Sequence, residues 1–307
     1  MFTLLTGSKM ISQISKIILL VVAVFLMPQA TWAKPIYIGD IGNQPADQIR
    51  KFWPLTSYLA KHLQPEGIDQ GKIIIVKSVA EMAALLREGK VDLYIDSPFP
   101  ALAASRLSGS KFLLRRWKKG MADYRGVIFV RKDSGANRLE DLKGKIIAFE
   151  EPFSTSTYFI PKLVMVQNGL KVAAKRDASD PVGANEVGYV FVGDDPNIMF
   201  AVLKGKVSAG ALNNQNYLKE ARGQIDSLKI IYETFSLPRQ IVSHRADLDP
   251  KLVARIREIL LKMDQSEEGK KALQDFEETT KFDELPEGAM APLLKSPKFI
   301  DAEFGIK

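Results

Sequence analysis

The residues with the most chemical promise are Glu151-Pro152-Phe153-Ser154-Thr155-Ser156-Thr157, an uninterrupted run of hydroxyls behind an acid and a proline. The run stands between a β-branched stretch, Lys145 to Phe149, and a helical pattern from about Thr155 to Gln167. The first N–H groups of a helix have no internal acceptor, and the helix dipole leaves them partly positive. Small hydroxyls add donors without bulk. Such a terminus can hold a tetrahedral oxyanion without Lys or Arg. An ordinary helix cap is the competing reading, but it needs only one hydroxyl.

Three other turns that follow strands are candidates to face the same ligand. In Asp96-Ser97-Pro98-Phe99, Pro98 suits the first helical position and Ser97 the cap. In Asn213-Asn214-Gln215-Asn216, uncharged amides after a strand suit a polar ligand or a plain turn. In Gly193-Asp194-Asp195-Pro196, an Asp before a helix reads first as a cap. Enzymatic chemistry finds little support. Cysteine is absent and the only histidines are His62 and His244. No Ser–His–Asp spacing, zinc-like cluster, Walker-type loop or other cofactor motif occurs. The adjacent acids Glu150-Glu151 and Asp194-Asp195 do not by themselves make an acid–base pair. The expectation is therefore a binding protein, not an enzyme, with no metal and no cofactor.

These turns need a scaffold of alternating strands and helices. Ile36–Ile38, Lys72–Val76, Val91–Ile95, Phe112–Leu114, Tyr124–Arg131, Lys145–Phe149, Tyr189–Val192, Ser208–Leu212, Leu228–Glu233 and Gln240–Ser243 read as strands. Helical patterns fall over Pro45–His62 (Ile49, Phe52, Leu55 and Leu59 on one face), Val79–Glu88, Pro98–Leu107, Pro196–Leu203, Pro250–Met263 and Glu267–Phe276, with a short helix at Leu139–Leu142. Residues 173–186 read as polar and irregular. This alternation indicates βαβ units. The expected fold is α/β and two-lobed. Each lobe is a mixed, mostly parallel sheet flanked by helices, and two crossover strands near Met121–Tyr124 and Thr234–Pro238 join them. Residues 34–122 with 236–307 form one lobe and 123–235 the other. Ligands in such folds lie at the C-terminal ends of strands, here in the interlobe cleft.

The N-terminus reads as a secretory signal peptide. Lys9 and Lys16 precede an apolar run, Ile17 to Met27, and Thr31-Trp32-Ala33 supplies a cleavage site near Ala33. Without cysteine there is no lipid-modified Cys, so the expectation is a free periplasmic protein, residues 1–33 being removed. Hydrophobic residues make up 46% of the 307 and charged residues 26%, ordinary values for a globular chain. The net charge of +7 favours encounter with anions. Basic residues cluster only at Arg115, Arg116, Lys118 and Lys119, which read as a solvated loop. No interleaved aromatic platform is read, and for an exported protein nucleic acid is not an expected partner.

The order and spacing of several segments resemble the periplasmic phosphonate/phosphate/phosphite-binding proteins of ABC importers, over essentially all of the chain after the leader. The segments are Gly39…Pro45…Trp53-Pro54-Leu55…Tyr58-Leu59, Leu86-Arg87-Glu88-Gly89-Lys90-Val91-Asp92-Leu93 with the Ser97-Pro98 turn, Tyr124…Val130 to Lys145, Glu151 to Thr157, and Leu248-Asp249-Pro250…Gly269-Lys270. The resemblance implies a hinged cleft (the type 2 periplasmic-binding-protein fold) that captures a small phosphorus oxyanion and presents it to an inner-membrane ABC permease, the protein acting as a monomer. It also implies site roles. Ser154, Thr155 and Ser156 would hold the phosphorus oxygens, Tyr124 and the Ser97-Pro98 turn would contribute from the hinge and the other lobe, and Asn213 and Asn214 would face the substituent. Thr157 replaces the family's usual Gly. Asp195-Pro196 replaces a His-Asp, so Asp195 stands where a donor is common. Gln215 and Asn216 are neutral where aminophosphonate binders tend to carry an acid. A sensor reporting to a membrane kinase or receptor is the alternative.

Overall fold

The computed structural model describes residues 34–305. The leader read from residues 1–33 lies outside them. The chain opens with strand β1 (Pro35–Ile41), helix α1 (Pro45–His62), β2 (Gln70–Val76), α2 (Val79–Arg87), β3 (Leu93–Asp96), α3 (Pro98–Ser108) and β4 (Lys111–Lys118). A short strand β5 (Asp123–Tyr124) leads to β6 (Gly126–Arg131) and β7 (Ile146–Phe149). A single π-helical turn, Thr155–Phe159, runs into α4 (Ile160–Gln167). Then come β8 (Lys171–Ala174), β9 (Glu186–Phe191), α5 (Asp195–Leu203), β10 (Ala209–Asn213), α6 (Asn214–Glu220) and β11 (Leu228–Glu233). The chain returns through β12 (Leu237–Pro238) to β13 (Gln240–His244), α7 (Pro250–Lys262), α8 (Glu267–Asp275), β14 (Thr279–Asp283), α9 (Ala291–Leu294) and α10 (Pro297–Phe304).

Two six-stranded sheets result. One has the order β14-β4-β13-β3-β1-β2 and the other β11-β6-β10-β7-β9-β8. Each is parallel on one side, built from strand–helix–strand units. Each is antiparallel on the other, where strands arrive after a crossing. The crossings are β5 and β12, which pair antiparallel, Tyr124 opposite Leu237. This is the two-lobed α/β fold of periplasmic binding proteins. Lobe 1 carries the first sheet and lobe 2 the second.

Periodicity explains the main helices. On α1, Phe52, Leu55, Tyr58 and Leu59 are buried against β2, and Pro54 lies within the helix. Ile49, expected on that face, is exposed. It lies one turn before Phe52 and Trp53, where the helix reaches the cleft rim. The segment 173–186 is less irregular than its polarity suggests, because β8 adds an edge strand to β9. No hydrophobic alternation announces such an edge. The cluster at Arg115, Arg116 and Lys118 is not a solvated loop. It continues β4, which runs well past Leu114, and the Arg116 side chain has no exposed surface. Carboxylates far along the chain, Glu277 just after α8 and Asp283 on β14, neutralise these charges, and local sequence does not show them. The last helix straddles both lobes: Asp301 pairs with Arg106 of α3 at 2.9 Å and Glu303 pairs with Lys162 of α4.

Candidate functional site

The turn after β7 is held by close packing. A Cβ at Gly126 would lie 2.5 Å from the Ser156 carbonyl oxygen. Glycine there lets the turn approach β6. Thr155, Ser156 and Thr157 are buried, and with Ser154 they line one wall of a cavity of about 330 Å³ between the lobes. The expected α-helical start is widened: Phe159 N donates to Ser154 O at 3.0 Å, and Ser154 does not cap the helix with its side chain. The amides of Thr155, Ser156 and Thr157 precede the helix's own acceptors. The Thr157 hydroxyl donates to Glu150 Oε2 at 2.8 Å and lies 2.5 Å from Ser154 Oγ. Thr155 Oγ1 spans the cleft, 2.8 Å from Ser97 Oγ and accepting from Phe99 N at 3.0 Å.

Lobe 1 closes the other side. Ser97 lines the cavity; Pro98 is buried at the start of α3 and is not part of the wall. Asp96 accepts from Tyr94 Oη at 2.7 Å and from Ser97 N at 2.5 Å. An acid can stand at this turn because both its oxygens are engaged by its immediate neighbours. Burial still raises its carboxyl to about 6, against those hydrogen bonds and Lys118. Asp40, at the end of β1, accepts from Gln48 Nε2 at 2.7 Å, and burial together with the Asp96 charge pushes it well above the usual carboxylate range. Lys118 pairs with Glu277 at 2.8 Å, and Arg116 pairs with the same carboxylate at 3.2 Å. Burial lowers Lys118 to about 8 and Arg116 to about 10. The two cations hold Glu277 low, overcoming its own burial. Glu277 and Glu278 have φ of 50° and 55°, and Lys119, whose N–H donates to Glu278 O at 2.8 Å, has φ of 56°. Left-handed backbone at non-glycine residues is uncommon and concentrates near functional sites.

The hinge contributes Tyr124 and Arg239, both on the cavity wall. Burial raises the Tyr124 phenol, opposed first by the Arg239 charge, so it remains a neutral donor. From lobe 2, Asn213 and Asn216 reach the cavity. The tetrad expected as a turn is instead the start of α6, with Asn213 Oδ1 capping the Gln215 and Asn216 amides at 3.1 and 2.9 Å. Asn214 points elsewhere, accepting from Arg125 N at 3.3 Å. Asp194, not Asp195, caps α5, accepting from Asn197 N at 2.8 Å. Asp195 stands behind the wall, bonded to Asn216, and burial followed by the Glu150 charge raises it to about 7.

Sequence reasoning therefore brought Ser154, Thr155, Ser156, Ser97, Tyr124 and Asn213 to one cavity. It missed Asp40, Gln48, Lys118, Arg239, Gln240 and Glu277. Lys118 belonged to a cluster already marked by its charge. The others carry no local signal.

Several solved structures share this architecture. The protein XAC2383 from Xanthomonas citri, bound to chloride ion, superposes with a TM-score of 0.81 at 27% identity, over 88% of this chain and 98% of that one. The same protein bound to ATP gives 0.80 at 26%, with the same coverage. PhnD1 from Prochlorococcus marinus in complex with methylphosphonate gives 0.65 at 20%, over 89% of this chain and 99% of that one, a likeness of fold. The model of the family described as "ABC transporter, phosphonate, periplasmic substrate-binding protein" matches residues 41–287, so the chain belongs to that family of periplasmic binding components.

Proposed function

We propose that the interlobe cavity binds a small phosphorus oxyanion (phosphonate, phosphite or phosphate) for delivery to an inner-membrane ABC permease. The observation that carries this reading is the hydroxyl wall. Ser154, Thr155, Ser156 and Thr157 line a cavity of about 330 Å³ beside uncommitted first-turn amides, with Ser97 and Tyr124 opposite. Hydrogen bonds from these donors replace those the ligand makes to water, and desolvation between the lobes makes each one matter.

The reading includes a mature chain cleaved near Ala33, acting as a monomer without catalysis, metal, cofactor or nucleic acid. It also includes a division into 34–122 with 236–307 and 123–235, closing about the hinge strands.

A second reading, a phosphate ester, is favoured by the ATP bound to XAC2383. A second interlobe opening of about 710 Å³, lined by Lys119, Gln215, Asn216, Lys219 and Arg222 among others, could take the ester's substituent.

Calorimetry with methylphosphonate, phosphite, phosphate and ATP tests both readings. Saturable binding of a phosphorus oxyanion is expected. Replacing Ser154, Thr155 and Ser156 together by Ala should weaken binding by about 2–4 kcal/mol, roughly 30- to 1,000-fold. Undiminished binding in that variant rejects this wall as the site.

A further inference from the structure

We propose that Arg239 is the charged anchor of the bound phosphoryl group, and that it makes the cleft prefer a doubly charged phosphorus oxyanion to a singly charged one. This rests on the oxyanion reading above and adds a residue and a charge selectivity to it.

The cavity wall carries the cations Lys51, Lys118, Lys119 and Arg239. Lys51 pairs with Asp47 at 2.5 Å, Lys118 with Glu277 at 2.8 Å, and Lys119 with Glu278 at 3.8 Å. Among the described residues, Arg239 makes no ion pair with a carboxylate, and its buried Nε finds no acceptor. A buried donor left unmatched is unfavourable, and a ligand oxygen would satisfy it. The other cleft cations are already neutralised by the protein. Arg239 is the one whose charge remains to be met.

Its position is fixed from two directions. It follows Pro238 of β12 directly, and its backbone N–H donates to Ala122 O at 2.6 Å. Its guanidinium lies over the Tyr124 ring, 4.5 Å from the centroid, an attractive arrangement that limits rotation. Tyr124 is on hinge strand β5 and Arg239 directly follows hinge strand β12, so the anchor stands at the junction of the lobes. Its charge is felt at Asp195 in lobe 2 and at Lys118 in lobe 1. A ligand held there is reached by both lobes.

The chemistry follows from the group. A guanidinium offers parallel N–H donors that match two phosphoryl oxygens, and it keeps its charge at any working pH. Hydroxyls and amides discriminate weakly between one and two negative charges, whereas a fixed cation favours the second charge by Coulomb attraction.

The test uses the mature protein, calorimetry at about pH 8.5, and two probes. Methylphosphonate then carries two charges on most molecules; its monomethyl ester carries one at any pH used. Thermal unfolding without ligand reports on folding. Arg239→Gln should fold like the parent and bind methylphosphonate about 10- to 100-fold more weakly, the range for one lost charge-assisted hydrogen bond. The ester should lose much less, so discrimination between the probes collapses. Arg239→Lys should retain much of that discrimination. If Arg239→Gln does not fold, Arg239→Lys decides: weaker methylphosphonate binding with discrimination kept supports the assignment. Unchanged affinity in the folded variant, or equal losses for both probes, overturns the anchor while leaving the oxyanion reading intact. A parent protein that binds neither probe, nor phosphite or phosphate, overturns both.

Discussion

The hydroxyl wall that lobe 2 gives the cleft, Ser154–Thr157, is uncharged and comes from one stretch of chain, whereas the wall from lobe 1 is charged and assembled from several separate stretches. Asp40 arrives on β1, Asp96 on β3, Lys118 on β4, and Glu277 just after α8. On the first wall the donors are hydroxyls and helix-start amides, placed by local backbone geometry. On the second, each group is held by a partner of opposite charge or by a hydrogen bond within the lobe. A contiguous wall can tune contacts to a ligand residue by residue. An assembled wall ties the shape of the site to the stability of the whole lobe.

That coupling gives the largest expected effect. Arg116 is fully buried, donates to Thr279 Oγ1 at 2.8 Å and to Phe276 O at 2.9 Å, pairs with Glu277, and lies 3.6 Å from the Phe276 ring centroid. Arg116→Ala leaves these acceptors, and part of the Glu277 charge, without a partner. Breaking a buried ion pair from one side costs about 3–5 kcal/mol, so urea unfolding should show a loss of that order. A variant within about 1 kcal/mol of the parent would mean that the charged wall does not support lobe 1, and the contrast between the walls would fail. No substitution within Ser154–Thr157 should destabilise the fold as much.

The same contrast explains what the sequence disclosed. The hydroxyl run was legible because its donors, the strand before it and the helix after it are consecutive. Pro98 and Ser97 were placed at a strand-to-helix turn for the same reason. The crossovers at β5 and β12 followed from the alternation of elements with no linker between them. Arg116 and Lys118 were visible as a basic cluster but misread, since the carboxylate that neutralises them lies over 150 positions away on a left-handed backbone turn. Arg239 has no pattern at all; its place over the Tyr124 ring comes from the fold alone. Asn213–Asn216 were read as a turn because amides suit turns, yet Asn213 capping the following amides starts a helix. Residue type was informative there, but the element depended on what followed.

A smaller effect sharpens the account of the lobe 2 wall. A methyl group at Gly126 would meet the Ser156 carbonyl at 2.5 Å and the Thr234 side chain at 3.3 Å. Backbone cannot yield as a flexible side chain does, so Gly126→Ala should push the π-helical turn outward. Overpacking of this kind typically costs about 1–3 kcal/mol. Affinity for methylphosphonate should fall along with stability, because the turn that moves bears the donors. Lost stability with unchanged affinity would show that the wall tolerates displacement and does not depend on backbone placement.

The finest comparison sets two buried acids against each other. Asp96, in the charged wall, is raised by burial to about 6 because Tyr94, Ser97 and Lys118 partly compensate. Asp195, behind the neutral wall, is raised to about 7, with Glu150 adding to burial and chiefly Asn216 opposing them. An unfolded Asp titrates near about 4. Between about pH 4 and 7 the folded protein therefore holds protons that the unfolded chain has released, and stability falls as pH rises through that window. Melting temperature without ligand should decline from pH 4.5 to pH 7.5, apart from contributions of groups that titrate lower. Asp195→Asn keeps an acceptor for Asn216 and removes the titration. It should flatten the upper part of the decline and melt above the parent at pH 7.5. Asp96→Asn should flatten the lower part instead, with a smaller gain, since its carboxylate is better compensated. If the parent and the Asp195→Asn variant trace parallel curves across the window, Asp195 is not held protonated, and the two walls do not differ in how they support a buried acid.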